Sequence, residues 1–238
     1  MTGTIIKLES KSKSATIDIL EPIGENWFGD GLTGKTFAKM LKDLGNVNNI
    51  TVRINSPGGN VFDGTAIYNL LKQHPANVDV NIIGMALSAA SVIAQAGNTI
   101  SMAHNAMFMI HDPWGYSMGN SREMRDTADL LDKIKGTLVD SYALRVKDLT
   151  KEQIGDMMAE ETWFTAEEAK DAGFIDKITT DETFEASWDL TKFKNTPQQA
   201  LAFAGPAAGL RGKIAALNIA TMNLNHRRTK SLSPQGAK

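Results

Sequence analysis

No cysteine occurs in the 238 residues. Disulfides, thiolate nucleophiles and Cys-based zinc sites are therefore excluded, and the composition fits a reducing compartment. No apolar run approaches the roughly 20 residues that a membrane-spanning helix needs. Met1 to Lys7 lacks the basic segment and apolar core of a signal peptide. Neither sign of charge predominates: 25 Lys and Arg face 27 Asp and Glu, a net charge of −2. Neither nucleic acid nor an acidic membrane surface is thus expected as the main partner. Histidines number only four, and no H-E-x-x-H or comparable spacing marks a metal site. The expectation is a soluble protein of the cytoplasm that carries no metal and no cofactor.

What is present is a length sufficient for one large domain or two small ones, with 42% hydrophobic and 22% charged residues, a globular balance. The chain is organised around Gly84-Met85-Ala86-Leu87-Ser88-Ala89-Ala90-Ser91. The β-type run Val78 to Ile83 is read as ending at Gly84, and a helix follows through Val92, Ile93 and Ala96 to Gly97. A serine where a strand turns into a helix lies beside free backbone N–H groups. That position suits a nucleophile whose reaction creates an oxyanion, and it equally suits an ordinary helix cap.

Upstream, Thr4 to Leu8 and Thr16 to Leu20 read as a hairpin. Pro22, Gly24, Gly29, Gly31 and Gly34 mark a loop, with Trp27 and Phe28 packed under it or against a neighbouring subunit. Phe37, Met40, Leu41 and Leu44 have helical spacing, stopped by Gly45. Asn49 to Asn55 alternates as a strand, Ser56-Pro57-Gly58-Gly59 breaks it, and Ile67, Leu70 and Leu71 mark a second helix before Pro75. Alternating strands and helices imply parallel strands with crossover helices, whose functional groups gather at the carboxyl ends of the strands. Two more runs, Thr99 to Met102 and Ala106 to Ile110, bring the chain to His111. Three strand ends thus deliver a glycine pair, a serine and a histidine.

A helix follows from Ser121 to Lys147, with Met124, Leu131, Ile134, Leu138, Tyr142 and Val146 in period. At about 1.5 Å per residue it spans ~40 Å, enough to protrude and bury its stripe against another subunit; packing on its own core is the alternative. A short helix from Lys151 to Met158, a capping box at Thr165 to Glu168 and a strand near Phe174 to Ile178 complete a domain of residues 1–182. Residues 183–238 read as a linker-like, partly disordered C-terminal extension, whose tail from Pro197 is a linker or a self-cleavage target.

A serine nucleophile needs a base, and the base a carboxylate and a nearby oxyanion hole. Ser88 is the candidate nucleophile, with Ser91 one turn along and less exposed. Of the histidines, His226 lies in the tail, His74 at a helix end and His104 in a turn; His111 is the natural base. Asp112, next to His111, faces the opposite side of a strand. Glu160, Glu161 and Asp171 remain open as the carboxylate. The paired Gly58 and Gly59 let the backbone approach a ligand. They form no P-loop, and Ser88 lies in no G-x-S-x-G elbow, against an α/β-hydrolase.

Ile54 to Gly59, Gly84 to Ser88 and Met109-Ile110-His111-Asp112-Pro113, in that order and spacing, resemble the proteolytic subunit of the Clp protease. Trp163 to Ala169 and Gly173 to Asp176 are similar to that family's closing segment, and the resemblance covers roughly residues 15 to 180. The variants Ser88-Ala89-Ala90-Ser91, His111 to Gly115 and Glu161 to Ala166 look most like the Clp-related head maturation proteases of tailed phages and prophages. The resemblance implies the α/β spiral of βαβ units shared by ClpP and crotonases, with Ser121 to Lys147 as the handle helix through which rings pair. It implies Ser88 as nucleophile, His111 as general base, Glu161 as third member where the family usually has aspartate, and the N–H groups of Gly59 and Ala89 as oxyanion hole.

The function implied is a serine endopeptidase, a homo-oligomer of one ring or stacked rings. It would cleave scaffold and capsid proteins in the host cytoplasm or within the prohead. Three rivals share features with it: a ClpP-like peptidase working with an AAA+ unfoldase, a crotonase-type acyl-CoA enzyme, and an inactive capsid-assembly protein. Met1 to Ser14 shows no clear counterpart of the axial loops that dock an unfoldase.

Overall fold

The computed structural model describes residues 5–9, 13–25, 31–180, 190 and 192–197. Trp27, Phe28, His226 and nearly all of the C-terminal extension lie outside them. The chain divides into two compact units, Met1–Glu185 and Ala186–Lys238; the fold below belongs to the first.

The predicted hairpin forms from β1 (Ile5–Glu9) and β2 (Ser14–Ile19), antiparallel. Helix α1 (Gly34–Leu44) starts at Thr33, whose side chain accepts the Thr36 N–H, and ends at Gly45 with φ 65°. Strand β3 (Asn49–Ser56) precedes α2 (Val61–Gln73), whose cap Asn60 accepts the N–H groups of Phe62 and Asp63. Strand β4 (Asn77–Leu87), helix α3 (Ala89–Ala94), and strands β5 (Thr99–Ala103) and β6 (Met107–Ile110) follow. Then come α4 (Ser121–Ala143), α5 (Lys151–Ala159), β7 (Thr162–Phe164), α6 (Ala166–Asp171) and β8 (Lys177–Thr179).

The main sheet runs β1-β2-β3-β4-β5-β8, parallel from β2 onward. Its central strands alternate: Ile50, Val52, Ile54, Val78, Val80 and Ile82 turn to one face and are all buried, while half-buried Thr51, Arg53, Asp79 and Asn81 turn to the other. Between β2 and β3 one charged pair is admitted. Asp18, 3% exposed, lies opposite Arg53 in register and receives two guanidinium hydrogen bonds of 2.6 Å.

Strand β4 does not end at Gly84 as its sequence pattern suggests. It continues to Leu87, directly before Ser88, by changing partner. Asp79 to Ile82 pair with β5, whereas Met85 to Leu87 pair with β6. The β3–β4 register shifts at the same place, from Ile54 opposite Ile82 to Ser56 opposite Ala86. Extra residues in one strand bend it and increase its twist. The sheet therefore turns a corner at Ile83 to Met85 and sends a second ladder, β4-β6-β7, off its edge.

Helix α4 ends at Ala143, earlier than Lys147, so its 23 residues span ~35 Å at about 1.5 Å each. Beyond it Arg145 turns inward, donating to the Gly97 carbonyl at 3.1 Å and ion-pairing with Asp176. The helix has two halves. Leu138, Val139 and Tyr142 are buried, while almost every residue from Ser121 to Leu130 is exposed. Its capping box at Asn120 and Glu123 closes an end that projects from the core, as expected of a handle. Among the described residues no helix is long and apolar enough to cross a membrane.

Candidate active site

The corner in β4 decides what meets at the site. Parallel pairing of Leu87 with Met109 carries Ser88 and His111 to the same end of the second ladder. Ser88 N–H donates to the Met109 carbonyl at 3.0 Å, which fixes the nucleophile candidate to the histidine's strand. Ser88 Oγ and His111 Nε2 are 2.7 Å apart. With the proton on Nδ1, Nε2 accepts the serine hydroxyl, the arrangement that a general base needs.

The helix-cap alternative for Ser88 does not hold. Its side chain makes no capping hydrogen bond to α3, because its backbone is not in a capping conformation: φ is 55° and ψ −126°. That region is strained for an L residue, and such strain costs about 1–3 kcal/mol where the surroundings enforce it. The strained turn lifts Oγ off the helix axis and toward His111. Ser91, the weaker candidate, is fully buried and engaged with the Ser88 carbonyl and Tyr142.

The glycine pair lies against this turn. Gly58 has φ 75°, and a Cβ there would sit 2.4 Å from the Leu87 carbonyl oxygen and 2.9 Å from the Ala89 nitrogen. Only glycine fits at that approach. Ser56 secures the loop: its hydroxyl donates to the Glu21 carbonyl at 2.7 Å and accepts the Gly58 N–H at 3.2 Å. Ile23 bridges the loop from the other side. Its N–H donates to Gly58 O at 3.0 Å, and its carbonyl accepts the Asn60 N–H at 2.8 Å. Both bonds use neighbours of Gly59, whose own N–H has no hydrogen-bond partner among the described residues. Ala89, first residue of α3, likewise has an N–H that the helix cannot satisfy.

Glu161 directly precedes β7, a strand the sequence pattern does not disclose. Antiparallel pairing of Ile110 with Thr162 ends the β6–β7 ladder, and His111 and Glu161 are the residues directly beyond that last pair. The Met158 carbonyl, at the end of α5, accepts both the Asp112 N–H at 3.0 Å and the Glu161 N–H at 3.1 Å. One oxygen thus ties the histidine's strand to the glutamate's turn. Glu161 is the residue just past the α5 cap, with φ 52°, where helices usually place glycine. Its carboxylate accepts the Trp163 indole N–H at 3.3 Å.

The other sequence candidates are placed elsewhere. Glu160 and Asp171 have exposed side chains. Asp112 turns to Lys135, 2.8 Å away. His104 is exposed, and half-buried His74 accepts the Ala76 N–H through Nδ1 at 3.1 Å, with burial lowering its pKa. Among the described residues no group of His, Asp and Glu side chains is arranged to hold a metal ion.

A family model described as Clp protease matches residues 28–182. The chain belongs to the Clp protease family. This ClpP-type chain is 34% identical over 132 residues to ATP-dependent Clp protease proteolytic subunit 3 of Rhodococcus jostii, covering 54% of this chain and 64% of the relative. It is 32% identical over 181 residues to the proteolytic subunit 2 of Tropheryma whipplei, covering 72% of this chain and 99% of the relative. A point mutant of ClpP1 from Listeria monocytogenes superposes with a TM-score of 0.60 at 26% identity, covering 70% of this chain and 91% of that one. The chain spans just under two thirds of the Rhodococcus relative and, at 65%, of the Thermobifida fusca subunit. The ClpP-like fold expected from the sequence is thereby borne out.

Proposed function

We propose that this chain is a serine endopeptidase acting through an acyl-enzyme. The observation that carries the reading is the 2.7 Å contact between Ser88 Oγ and His111 Nε2 on a strained turn. Ser88 Oγ attacks the scissile carbonyl carbon as its proton passes to His111 Nε2. The oxygen of that carbonyl becomes an oxyanion, received by the N–H groups of Gly59 and Ala89. His111 then returns the proton to the leaving amine, the C–N bond breaks, and the acyl group remains on Ser88. Water, deprotonated by His111, releases it as a carboxylic acid. Glu161 is assigned the role of holding the imidazole in the tautomer that leaves Nε2 free.

The substrates are assigned to scaffold and capsid proteins of a phage head. Support comes from the motif variants Ser88 to Ser91, His111 to Gly115 and Glu161 to Ala166. The second reading, a peptidase fed by an AAA+ unfoldase, is favoured by the relatives' names, which describe ATP-dependent proteolytic subunits. Incubation with the capsid and scaffold proteins encoded beside the gene, with and without a host Clp ATPase, separates the two. Cleavage without ATPase is expected; cleavage only with ATPase and ATP would favour the second. Purified Ser88→Ala should cleave neither, and retained cleavage by it would overturn the serine mechanism.

A further inference from the structure

Two buried hydroxyls outside the Ser88–His111 pair form a chain that ends on the nucleophile's backbone. Ser91 on α3 is fully buried, and Tyr142 on α4 is 2% exposed. Ser91 Oγ donates to the Ser88 carbonyl oxygen at 2.5 Å and lies 2.7 Å from the Tyr142 hydroxyl. A serine hydroxyl has one proton to give. Since Ser91 gives its proton to Ser88, Tyr142 must be the donor to Ser91. The chain has one direction: Tyr142 O–H to Ser91 O–H to Ser88 C=O.

That carbonyl belongs to the peptide whose other end is the Ala89 N–H. The peptide is planar, with C=O and N–H held in one plane. Whatever fixes the Ser88 oxygen fixes the direction of the Ala89 hydrogen. The oxygen also accepts the Ser91 N–H at 2.9 Å and the Val92 N–H at 3.4 Å, but those bonds come with any helical turn. The hydroxyl bond is the shortest of the three and is specific to these side chains. Donation to the carbonyl draws electron density from the amide nitrogen, and hydrogen bonds in series strengthen one another. The N–H at the far end becomes a better donor.

We propose that Ser91 and Tyr142 are positioning residues for the oxyanion hole, aiming and polarising the Ala89 N–H through the Ser88–Ala89 peptide. The inference rests on the proposed serine mechanism, in which that N–H receives the oxyanion. Burial raises the Tyr142 pKa, so its hydroxyl keeps the proton it donates throughout the neutral range. The chain also gives α4, the projecting handle, a direct hydrogen-bonded line to the nucleophile's backbone.

The test compares Tyr142→Phe, Ser91→Ala and the double variant in the full-length chain. Active sites are counted by the endpoint of fluorophosphonate labelling, and kcat and KM are measured with a peptidyl-aminomethylcoumarin. Losing a whole oxyanion donor costs about 10²–10³ in kcat; weakening one should cost a part of that. Tyr142→Phe should lower kcat per active site roughly 3–10-fold and Ser91→Ala roughly 10–30-fold, each with KM unchanged. The double variant should match Ser91→Ala, because the chain is already cut. Inhibition by a peptidyl boronic acid, which binds as a tetrahedral adduct, should weaken by the same factors as kcat. A pair that only filled the core would lower Tm and the number of active sites, leaving kcat per site and boronate inhibition unchanged; that result would overturn the proposal. Ser88→Ala, run in parallel, keeps the two levels apart. Activity in Ser88→Ala would defeat the serine mechanism itself, whereas an inactive Ser88→Ala beside an unaltered Tyr142→Phe would defeat only the chain.

Discussion

Two side chains at the site stand on backbone that L residues avoid, Ser88 at φ 55° and Glu161 at φ 52°. Glycine relieves such strain but gives up some stability through its freer unfolded chain. Ser88→Gly should therefore be inactive yet more stable than the equally inactive Ser88→Ala, by about 1 kcal/mol or roughly 2–4 °C in Tm, measured by calorimetry. Equal melting of the two would mean that the surroundings do not enforce strain at Ser88. At the second position, Glu161→Ala should lower activity on the order of 10²–10⁴-fold, as loss of an orienting carboxylate does. Glu160→Ala, with its side chain turned to solvent, should stay within about two-fold; surface changes of this kind have small effects. Equal and small losses in both would reject Glu161 as the third member. Tyr142 makes a separate, pH-dependent contribution. Burial raises its folded pKa above the unfolded value, so its contribution to stability is complete below about pH 10 and is lost as pH rises beyond. Urea midpoints between pH 9 and 11 should accordingly fall more steeply in the wild type than in Tyr142→Phe.

Elements repeat the logic at larger size, because the site exists only where β4 changes partners. Much of this was legible in the sequence. Gly45 and the capping box at Thr165 marked helix ends by local chemistry that acts within one turn. The glycine pair, Ser88 and His111 announced themselves as residues of special chemistry at strand ends. What could not be read was non-local. Gly84 looked like a strand terminus because glycine usually weakens a strand, yet β4 runs past it by taking β6 as a new neighbour. β7, three residues long, is too short to show alternation; only its pairing with β6 makes it a strand and sets Glu161 just beyond the end of that ladder. The Ser91–Tyr142 bond joins residues 51 positions apart, and no local pattern signals it. The glycine loop provides the element-scale prediction. Gly58→Ala would drive a methyl group to 2.4 Å from the Leu87 carbonyl and should push the loop off the Ser88 turn. Activity should fall at least as far as on losing one oxyanion donor, about 10²-fold, with a lower Tm. Wild-type turnover in Gly58→Ala would show that this loop does not touch the chemistry.

Across the whole molecule, apolar side chains left in solvent define what the chain still has to bury. Trp114, Tyr116 and Met118, on the segment between β6 and α4, are exposed, and so are Met124 and Leu130 on the handle. Exposed apolar residues clustered on one projection mark an interaction surface, and the Clp protease family assembles as rings. The double variant Met118→Glu/Leu130→Glu should therefore shift the mass measured by light scattering to a smaller assembly and reduce activity, leaving the core's melting nearly unchanged. An unaltered mass would assign that surface to some other partner. Ser88 as the nucleophile is tested most directly by covalent labelling. Treated with a fluorophosphonate, the full-length protein should gain one adduct per chain, mapped by peptide mass spectrometry to Ser88 and absent from Ser88→Ala and His111→Ala. No adduct, or an adduct that persists in Ser88→Ala, would contradict Ser88 as the nucleophile.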